Sequence, residues 1–327
     1  MKDVLIEAKD IQMYFPIKQG VIKRTVGHIK AVDGISLKIY EGESLGIVGE
    51  SGSGKSTLGR ILLQLQNQTN GDVFYKGEKI SGISNRKLRP FRRDMQMVFQ
   101  DPYASLNPRM SIGELIEEPL LVHKTVATKA ERQKRAEELL ETVGLPKQSY
   151  DKYPHEFSGG QRQRIGIARA LSTKPSLIIG DEPVSALDVS IQSQVLNLMK
   201  DLQDEFKLTY IFIAHDLSVV KHISTRVAVM YLGRIVEVAT KKDLYEGKLH
   251  PYTEALISAV PSTDVTQKKQ KITLTGELPS PANPPVGCAF HTRCPHVHDR
   301  CKQERPDLVE YKPEHFVACH LYTEKSE

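Results

Sequence analysis

Short apolar runs alternate with helix-patterned segments along most of the chain. Three apolar runs of strand length predict buried strands at Ser44–Val48, Ser176–Ile179 and Thr209–Ala214. Two further runs predict earlier strands at Val4–Ala8 and Ser36–Ile39. Strands that alternate with helices in this way are typical of an α/β fold with parallel strands.

Helical patterns dominate the stretch from about residue 100 to residue 172. Within it, Lys129–Val143 places apolar side chains at helical spacing and charged side chains elsewhere. The apolar positions are Ala136, Leu139, Leu140 and Val143. This pattern predicts a helical subdomain inserted between parallel strands.

The chain changes character after residue 260. Ser262–Gln270 is polar and weakly patterned, and the proline-rich segment Pro279–Pro285 predicts a stiff, extended linker. All four cysteines follow this linker. We therefore expect a main domain over residues 1–260, followed by a linker and a small cysteine-containing domain over residues 261–327.

Composition limits the classes of function. The 327 residues are 39% hydrophobic and 26% charged, which suffices for a packed core, and the net charge of +5 is too small to argue for nucleic-acid binding. No apolar run approaches the ~20 residues of a membrane span, and acidic residues interrupt the start of the chain. We expect a cytoplasmic protein that meets a membrane only through partners.

A glycine-rich segment after the predicted strand Ser44–Val48 has the spacing of a phosphate-binding loop. It consists of Gly49, Glu50, Ser51, Gly52, Ser53, Gly54, Lys55 and Ser56, followed by Thr57. Glycines let backbone N–H groups surround phosphates, Lys55 supplies a positive charge, and the Ser56 hydroxyl suits Mg²⁺. The alternative, an ordinary glycine turn, does not explain the amphipathic helical pattern that follows.

Two acids end the apolar run at Ser176–Ile179. Asp181 is expected to bind Mg²⁺ together with Ser56, and Glu182 is positioned to polarise an attacking water. Two acids at a strand end are common, so the assignment depends on the phosphate-binding loop upstream.

The segment Ser158-Gly159-Gly160-Gln161 opens another helical pattern. Ser158 and Gln161 have the spacing of a capping box, so the segment predicts a helix start. The two glycines also expose the helix N-terminus, which favours an anion. A plain helix cap and a second phosphate-binding site both fit these residues.

Taken in order, these motifs resemble the nucleotide-binding subunit of ABC transporters. The resemblance covers residues 4–260 and includes Gln100, Asp188 and His215 beside the segments above. It implies a P-loop NTPase with a RecA-like core, an antiparallel β-subdomain and a helical subdomain. It also implies an ATPase that uses ATP and Mg²⁺.

The resemblance assigns roles to single residues. Phe15, with Tyr14 as the alternative, would stack on adenine, and Gln100 would contact Mg²⁺ and the attacking water. Ser158, Gly159, Gly160 and Gln161 would form the signature motif, which contacts the nucleotide bound by the opposite subunit. Asp188 would lie across the dimer interface, and His215 would hold the γ-phosphate. The catalytic residues would then be Glu182, His215, Lys55 and Gln100.

Further segments resemble the oligopeptide/dipeptide/nickel importer family. These are Phe99–Met110, Asp188–Gln192 and His250–Thr253, while Phe15–Lys18 and Ser56–Arg60 are similar to its second ATPase subunit (OppF, AppF or DppF type). The resemblance implies a heterodimer with a sibling ATPase, two membrane permeases, an extracytoplasmic peptide-binding protein and a place at the cytoplasmic face of the membrane. The alternatives are a nickel or metal-chelate importer and a non-transport ABC ATPase that acts on nucleic acid or ribosomes.

The tail cysteines Cys288, Cys294, Cys301 and Cys319 leave three alternatives open. They are four unrelated thiols, a zinc site or an iron–sulfur cluster; the spacing lacks the close cysteine pairs of common zinc and ferredoxin motifs. The segments Gly287–Pro295 and Val317–His320 resemble the C-terminal extension of the importer family. That resemblance implies a [4Fe–4S] cluster, with zinc as the alternative.

Overall fold

The computed structural model describes residues 3–21, 23–260, 272–274 and 276–322. The chain packs as two compact units. The first unit comprises Met1–Leu5, Ile39–Ser44 and Ile80–Ile213; the second comprises Ile6–Lys38, Leu45–Lys79 and Ala214–Glu327. The polar segment Ser262–Gln270 and the expected boundary at residue 261 lie outside the described residues, so that boundary stays a prediction.

The described residues form twelve strands. They are β1 (Val4–Gln19), β2 (Arg24–Tyr40), β3 (Ser44–Val48), β4 (Asn70–Tyr75), β5 (Glu78–Lys79), β6 (Met95–Val98), β7 (Leu177–Asp181), β8 (Thr209–Ala214), β9 (Arg226–Tyr231), β10 (Arg234–Thr240), β11 (Val309–Lys312) and β12 (His315–Val317).

Eleven α-helices connect these strands within the described part of the chain. They are α1 (Lys55–Leu62), α2 (Asn85–Asp94), α3 (Pro102–Ser105), α4 (Ile112–His123), α5 (Lys129–Thr142), α6 (Gly159–Leu171), α7 (Val189–Phe206), α8 (Leu217–Ile223), α9 (Lys241–Gly247), α10 (Pro251–Ser258) and α11 (Asp299–Gln303). Two 3₁₀ turns cover Lys147–Ser149 and Pro154–Glu156.

Parallel pairing characterises the strands that carry the motifs. In the first unit β6, β7 and β8 are parallel neighbours, and in the second unit β3 pairs in parallel with β9. From β9 the pairing continues antiparallel through β10 and β12 to β11. A separate sheet has the order β2-β1-β4-β5, with antiparallel pairing of β1 with β4 and of β4 with β5. The expected α/β core and antiparallel β-subdomain are therefore confirmed.

The strands with uninterrupted apolar runs match the sequence prediction most closely. All residues of β3 and β8 are buried, and both strands have the predicted bounds. By contrast, β1 and β2 extend well beyond Val4–Ala8 and Ser36–Ile39. Most of their additional residues are exposed or half-buried, so no continuous apolar run marks them.

Helices α3 to α6 occupy the predicted helical stretch in the first unit. Helix α5 buries Ala136, Leu139 and Leu140; Val143, the fourth residue of the predicted apolar face, is the C-cap of the helix and is also buried. Capping boxes begin α4, α5 and α6, where a serine or threonine and a residue three positions on satisfy each other's backbone N–H groups. The helix starts are therefore set by local sequence.

An aromatic cluster forms part of the core of the second unit. The rings of Tyr231 and Tyr252 lie 4.7 Å apart, and Phe290 lies 5.3 Å from Tyr231 and 5.4 Å from Tyr252, measured between ring centroids. All three side chains are buried. Because Phe290 belongs to the segment between the first two tail cysteines, the tail packs into the same core as β9.

A buried carboxylate also links the tail to β10. Glu237 is fully buried and accepts hydrogen bonds from the backbone N–H groups of Leu249 and His250, both at 2.9 Å. Its Oε1 atom also lies 2.7 Å from Nε2 of His315, which begins β12. A buried carboxylate needs such partners, because an unsatisfied charge in the core is costly.

Among the described residues, no helix combines the length and apolar character needed to cross a bilayer.

Burial of His250 predicts an acid-dependent loss of stability. Burial lowers the pKa of His250 to about 4, partly offset by Glu237. Between that value and the unfolded value of about 6.5, the unfolded chain binds more protons, so the free energy of unfolding falls as the pH drops. His250 caps α10, where its Nδ1 accepts the N–H of Tyr252 at 3.1 Å, and Asn retains an acceptor for this bond. We expect His250→Asn to lose less stability than wild type between about pH 7 and about pH 5, by up to about 1.4 kcal/mol per pH unit. Urea unfolding at both pH values measures the difference, and equal losses in the two proteins would contradict the prediction.

Candidate active site

The backbone of the phosphate-binding loop lies directly against neighbouring chain. Gly49 has a φ of 155°, and a Cβ atom there would lie 2.2 Å from the carbonyl oxygen of Met230. Gly54 has a φ of 99°, and its Cβ atom would lie 1.9 Å from the carbonyl oxygen of Ala31. No other residue fits at either position without displacing backbone. Gly49 and Gly54 are therefore required by the shape of the loop.

Lys55 points its ammonium group back into this loop. Its Nζ atom donates to the carbonyl oxygens of Gly49 at 2.8 Å and Glu50 at 3.0 Å. Helix α1 begins at Lys55, so the loop leads directly into a helix N-terminus. Backbone N–H groups, a helix N-terminus and an ammonium group together form a site for phosphates. Ser51 and Gly52 are exposed, Ser53 is buried, and Ser56 and Thr57 are half-buried in the first turn of the helix.

The two aromatic residues predicted as adenine-stacking candidates, Tyr14 and Phe15 in β1, have different environments. The hydroxyl of Tyr14 donates to Asp33, and burial raises the pKa of Tyr14 to about 12, with the Asp33 hydrogen bond adding to the shift. Asp33 also forms an ion pair with Arg234. Phe15, in contrast, is 36% exposed. An exposed ring is available for stacking on a base, so the geometry favours Phe15 over Tyr14.

In the first unit, the two acids at the end of β7 differ in environment. Asp181 ends the strand and is 3% exposed. Glu182 follows with a φ of 48°, a conformation that side chains rarely adopt and that often accompanies functional sites. Its N–H donates to the carbonyl oxygen of Ile213 at 2.9 Å, and Nε2 of Gln100 donates to its Oε2 at 2.9 Å. The structure thus brings together two of the predicted catalytic residues.

The signature segment is a helix cap with closely packed glycines. Ser158 Oγ accepts from the N–H of Gln161, and Gln161 Oε1 accepts from the N–H of Ser158. A Cβ atom at Gly160 would lie 2.4 Å from Cγ2 of Ile191 in α7, whereas the nearest contact at Gly159 would be 3.4 Å from Leu187. Gly160 is therefore required for helix packing as well as leaving the helix N-terminus accessible.

The last two predicted residues are both exposed. Asp188 caps α7 by accepting the N–H of Ile191 at 3.0 Å, and the next residue, Val189, is 78% exposed. His215 follows β8 directly, before Asp216 caps α8. Their positions at the starts of α7 and α8 leave both side chains accessible to a ligand or a second chain.

Comparisons with known proteins decide the family. The family model for "ABC transporter" matches residues 32–185, and that for "Oligopeptide/dipeptide transporter, C-terminal region" matches residues 236–301. The chain is 57% identical over 325 residues to the oligopeptide transport ATP-binding protein AppF of Bacillus subtilis, covering 98% of each. It belongs to the ABC transporter ATPases of the oligopeptide/dipeptide family. It is also 48% identical over 315 residues to the dipeptide transport ATP-binding protein DppF of Haemophilus influenzae, covering 96% of each.

Solved structures of ABC ATPases confirm the fold. The dimeric post-hydrolysis structure of the ATP-binding cassette MJ0796, bound to ADP and Pi, matches with a TM-score of 0.64 and 32% identity. The match covers 72% of this chain and 98% of the cassette. CbiO1 of Clostridium perfringens, part of the ABC transporter complex cbiONQ, matches with a TM-score of 0.64 and 26% identity, covering 75% of this chain and 92% of the other.

Two residues beside the phosphate-binding loop of this ABC ATPase were missed by sequence reasoning. Arg293 donates from both terminal nitrogens to the carboxylate of Glu50, at 2.8 and 3.1 Å. The hydroxyl of Tyr252 accepts from the N–H of Glu50 at 2.9 Å. Both residues belong to segments that resembled the importer family, but no sequence pattern marked either of them as a neighbour of the loop.

The tail cysteines do not form the expected metal site in this arrangement. Among the described residues, no group of three or more His, Cys, Asp or Glu side chains could hold a metal ion. Burial raises the pKa of Cys288 to about 11 and that of Cys319 to about 12, and it also raises the pKa of Cys294. Repulsion from the neighbouring cysteines adds to the raised pKa values of Cys288 and Cys319, so these thiols are neutral when no metal is bound. The structure therefore does not support the iron–sulfur cluster or zinc site expected from the tail.

Glu182→Gln tests the catalytic assignment. The amide retains the shape of the side chain but cannot polarise water, so we expect ATP turnover to fall by at least about a hundredfold. Nucleotide affinity should change little, because Glu182 is not part of the phosphate-binding loop. Steady-state ATPase rates and equilibrium nucleotide titration measure the two quantities. Glu205→Gln, an exposed acid on α7, is the matched control and should retain wild-type turnover; wild-type turnover in Glu182→Gln would contradict the assignment.

Proposed function

We propose that this ATPase powers the uptake of oligopeptides or dipeptides through separate membrane permeases. The observation that carries the proposal is the 57% identity to an oligopeptide transport ATP-binding protein over 98% of both chains, tail included. A match of this extent covers the cassette and the C-terminal region together. Both parts of the chain therefore support the same function.

In this proposal the phosphate-binding loop holds the nucleotide. The N–H groups of Gly49 to Ser56 surround the phosphates, Lys55 neutralises charge on them, and Phe15 stacks on the adenine. The hydroxyl of Ser56, the carboxylate of Asp181 and the amide oxygen of Gln100 are hard oxygen donors, which suits Mg²⁺. When bound, Mg²⁺ would neutralise charge that develops on the phosphates.

Hydrolysis is assigned to residues at the ends of β7 and β8. Glu182 polarises the attacking water, and its hydrogen bond from Gln100 fixes the direction of the carboxylate. His215 stabilises the γ-phosphate. Phosphoryl transfer needs mainly positioning and charge stabilisation, which these groups supply without a covalent intermediate.

A second cassette completes each nucleotide site. Ser158 and Gly160, supported by Gly159 and Gln161, contact the γ-phosphate held by the opposite subunit, and Asp188 lies across the interface. We infer a heterodimer with a sibling ATPase, in which ATP closes the pair and hydrolysis opens it. The dimer is peripheral, at the cytoplasmic face of the membrane, bound to two permeases and supplied by an extracytoplasmic peptide-binding protein. No nucleic acid takes part.

The tail thiols take no part in this reaction. A [4Fe–4S] cluster, or zinc, on Cys288, Cys294, Cys301 and Cys319 is a separate hypothesis that the arrangement of the thiols does not support. Iron, acid-labile sulfide and zinc can be assayed on protein purified without oxygen. About four irons and four sulfides per chain would establish the cluster, and one zinc would establish the ion.

Isolation of the complex tests the proposed function. When a tagged chain is purified from detergent-solubilised membranes, we expect it to retain a second cassette and two permeases. The reconstituted complex should import short peptides only with ATP, and Lys55→Ala should abolish import by removing the charge on the phosphates. Recovery with ribosomes or nucleic acid, or import of nickel instead of peptides, would contradict the proposal.

A further inference from the structure

The C-terminal tail lies against the phosphate-binding side of the second unit. Backbone pairing of Val317 with Glu237 joins β12 to β10, and the carbonyl oxygen of Pro281 accepts the N–H of Lys30 in β2 at 3.0 Å. Arg305 donates to the carbonyl oxygen of Asp33 at 3.3 Å. The tail therefore contacts the strands that flank the loop at three separate points.

A fourth contact reaches the loop itself. Both terminal nitrogens of Arg293 bind the two carboxylate oxygens of Glu50, the second residue of the loop. The Arg293 side chain is 8% exposed and the Glu50 side chain 27% exposed, so the pair is largely removed from solvent. A two-point contact of this kind fixes the orientation of the carboxylate as well as its charge.

The backbone N–H groups of Arg293 and Glu50 both donate hydrogen bonds to residues of the aromatic cluster. The N–H of Arg293 donates to the carbonyl oxygen of Phe290 at 3.0 Å, and Phe290 packs against Tyr252. The hydroxyl of Tyr252 in turn accepts the N–H of Glu50. Glu50 is thus fixed through its backbone by Tyr252 and through its side chain by Arg293.

Chemistry gives the ion pair a role beyond packing. A carboxylate on a loop that binds a triphosphate repels the ligand, since like charges a few ångströms apart repel each other strongly in a partly buried site. A guanidinium is always protonated, so Arg293 neutralises Glu50 and directs its oxygens to the tail. Without Arg293, an uncompensated negative charge would remain on the loop.

We propose that Arg293 is a positioning residue for nucleotide, by which the cysteine-containing tail completes the ATP site of its own chain. This inference rests on the proposed role of the phosphate-binding loop. Arg293 acts through Glu50 and does not contact the nucleotide itself. Its removal should weaken ATP binding more than it slows the turnover of bound ATP.

Charge-neutral variants of both partners test the proposal in the full-length chain. Binding of Mg-ATP is measured by equilibrium titration, KM and kcat by ATPase assay, and folding by thermal denaturation. Arg293→Gln should raise the dissociation constant for ATP by about tenfold, because Glu50 is left uncompensated. Glu50→Gln alone should bind ATP at least as tightly as wild type, and Arg293→Gln with Glu50→Gln should recover most of the affinity.

Arg300→Gln is the matched control. Arg300 also lies in the tail and forms an exposed ion pair with Glu304, so this variant should bind ATP as wild type does. Unchanged affinity in Arg293→Gln, or no recovery in the double variant, would overturn the proposal. Weaker binding in Glu50→Gln would also overturn it, and the half-buried Glu50 position keeps the proposal testable if Arg293→Gln fails to fold.

Lys55→Ala separates this inference from the proposed function. If Lys55→Ala loses ATP binding and Arg293→Gln has no effect, the proposed role of Arg293 is contradicted, whereas the assignment of the nucleotide site is supported. Retention of ATP binding in Lys55→Ala would contradict the nucleotide site itself.

Discussion

The phosphate-binding loop depends on backbone lying against backbone. Gly49 and Gly54 approach the carbonyl oxygens of Met230 and Ala31 so closely that no Cβ atom fits. Ser53 adds a direct hydrogen bond, since its carbonyl oxygen accepts the N–H of Gly233 at 2.9 Å. The loop is thus shaped by the end of β9 and the turn into β10 before any nucleotide arrives. A site formed in advance loses less conformational entropy on binding.

A second constraint acts at the end of β7. The left-handed backbone of Glu182 costs about 1–3 kcal/mol in an ordinary residue, so surrounding contacts must hold it. Ile213 accepts its N–H, Ser185 donates both its N–H and its hydroxyl to its carbonyl oxygen, and Gln100 binds its carboxylate. These contacts give the carboxylate one direction, as the proposed role of Glu182 in polarising water requires.

Local sequence predicted the parts of the molecule that local interactions determine. The bounds of β3 and β8 follow from burial of every residue, and the start of α6 follows from the Ser158–Gln161 cap. The length of β1 and β2 did not follow, because their additional residues, mostly exposed or half-buried, show no continuous apolar run. The choice between Tyr14 and Phe15 required the position of Asp33, and the contact of Arg293 with Glu50 joins residues 243 positions apart. Contacts between distant residues of this kind leave no periodic signal in one sequence.

The buried Glu237–His315 pair has a consequence for how tails can be exchanged between related cassettes. The Glu237 carboxylate accepts the N–H groups of Leu249 and His250 in the cassette and contacts His315 in the tail. Both parts of the chain therefore stabilise its charge. A chimera that received a foreign tail without a matching partner for Glu237 would contain an uncompensated buried carboxylate. Cassette and tail are therefore expected to be inherited as one unit, with substitutions on one side matched by substitutions on the other.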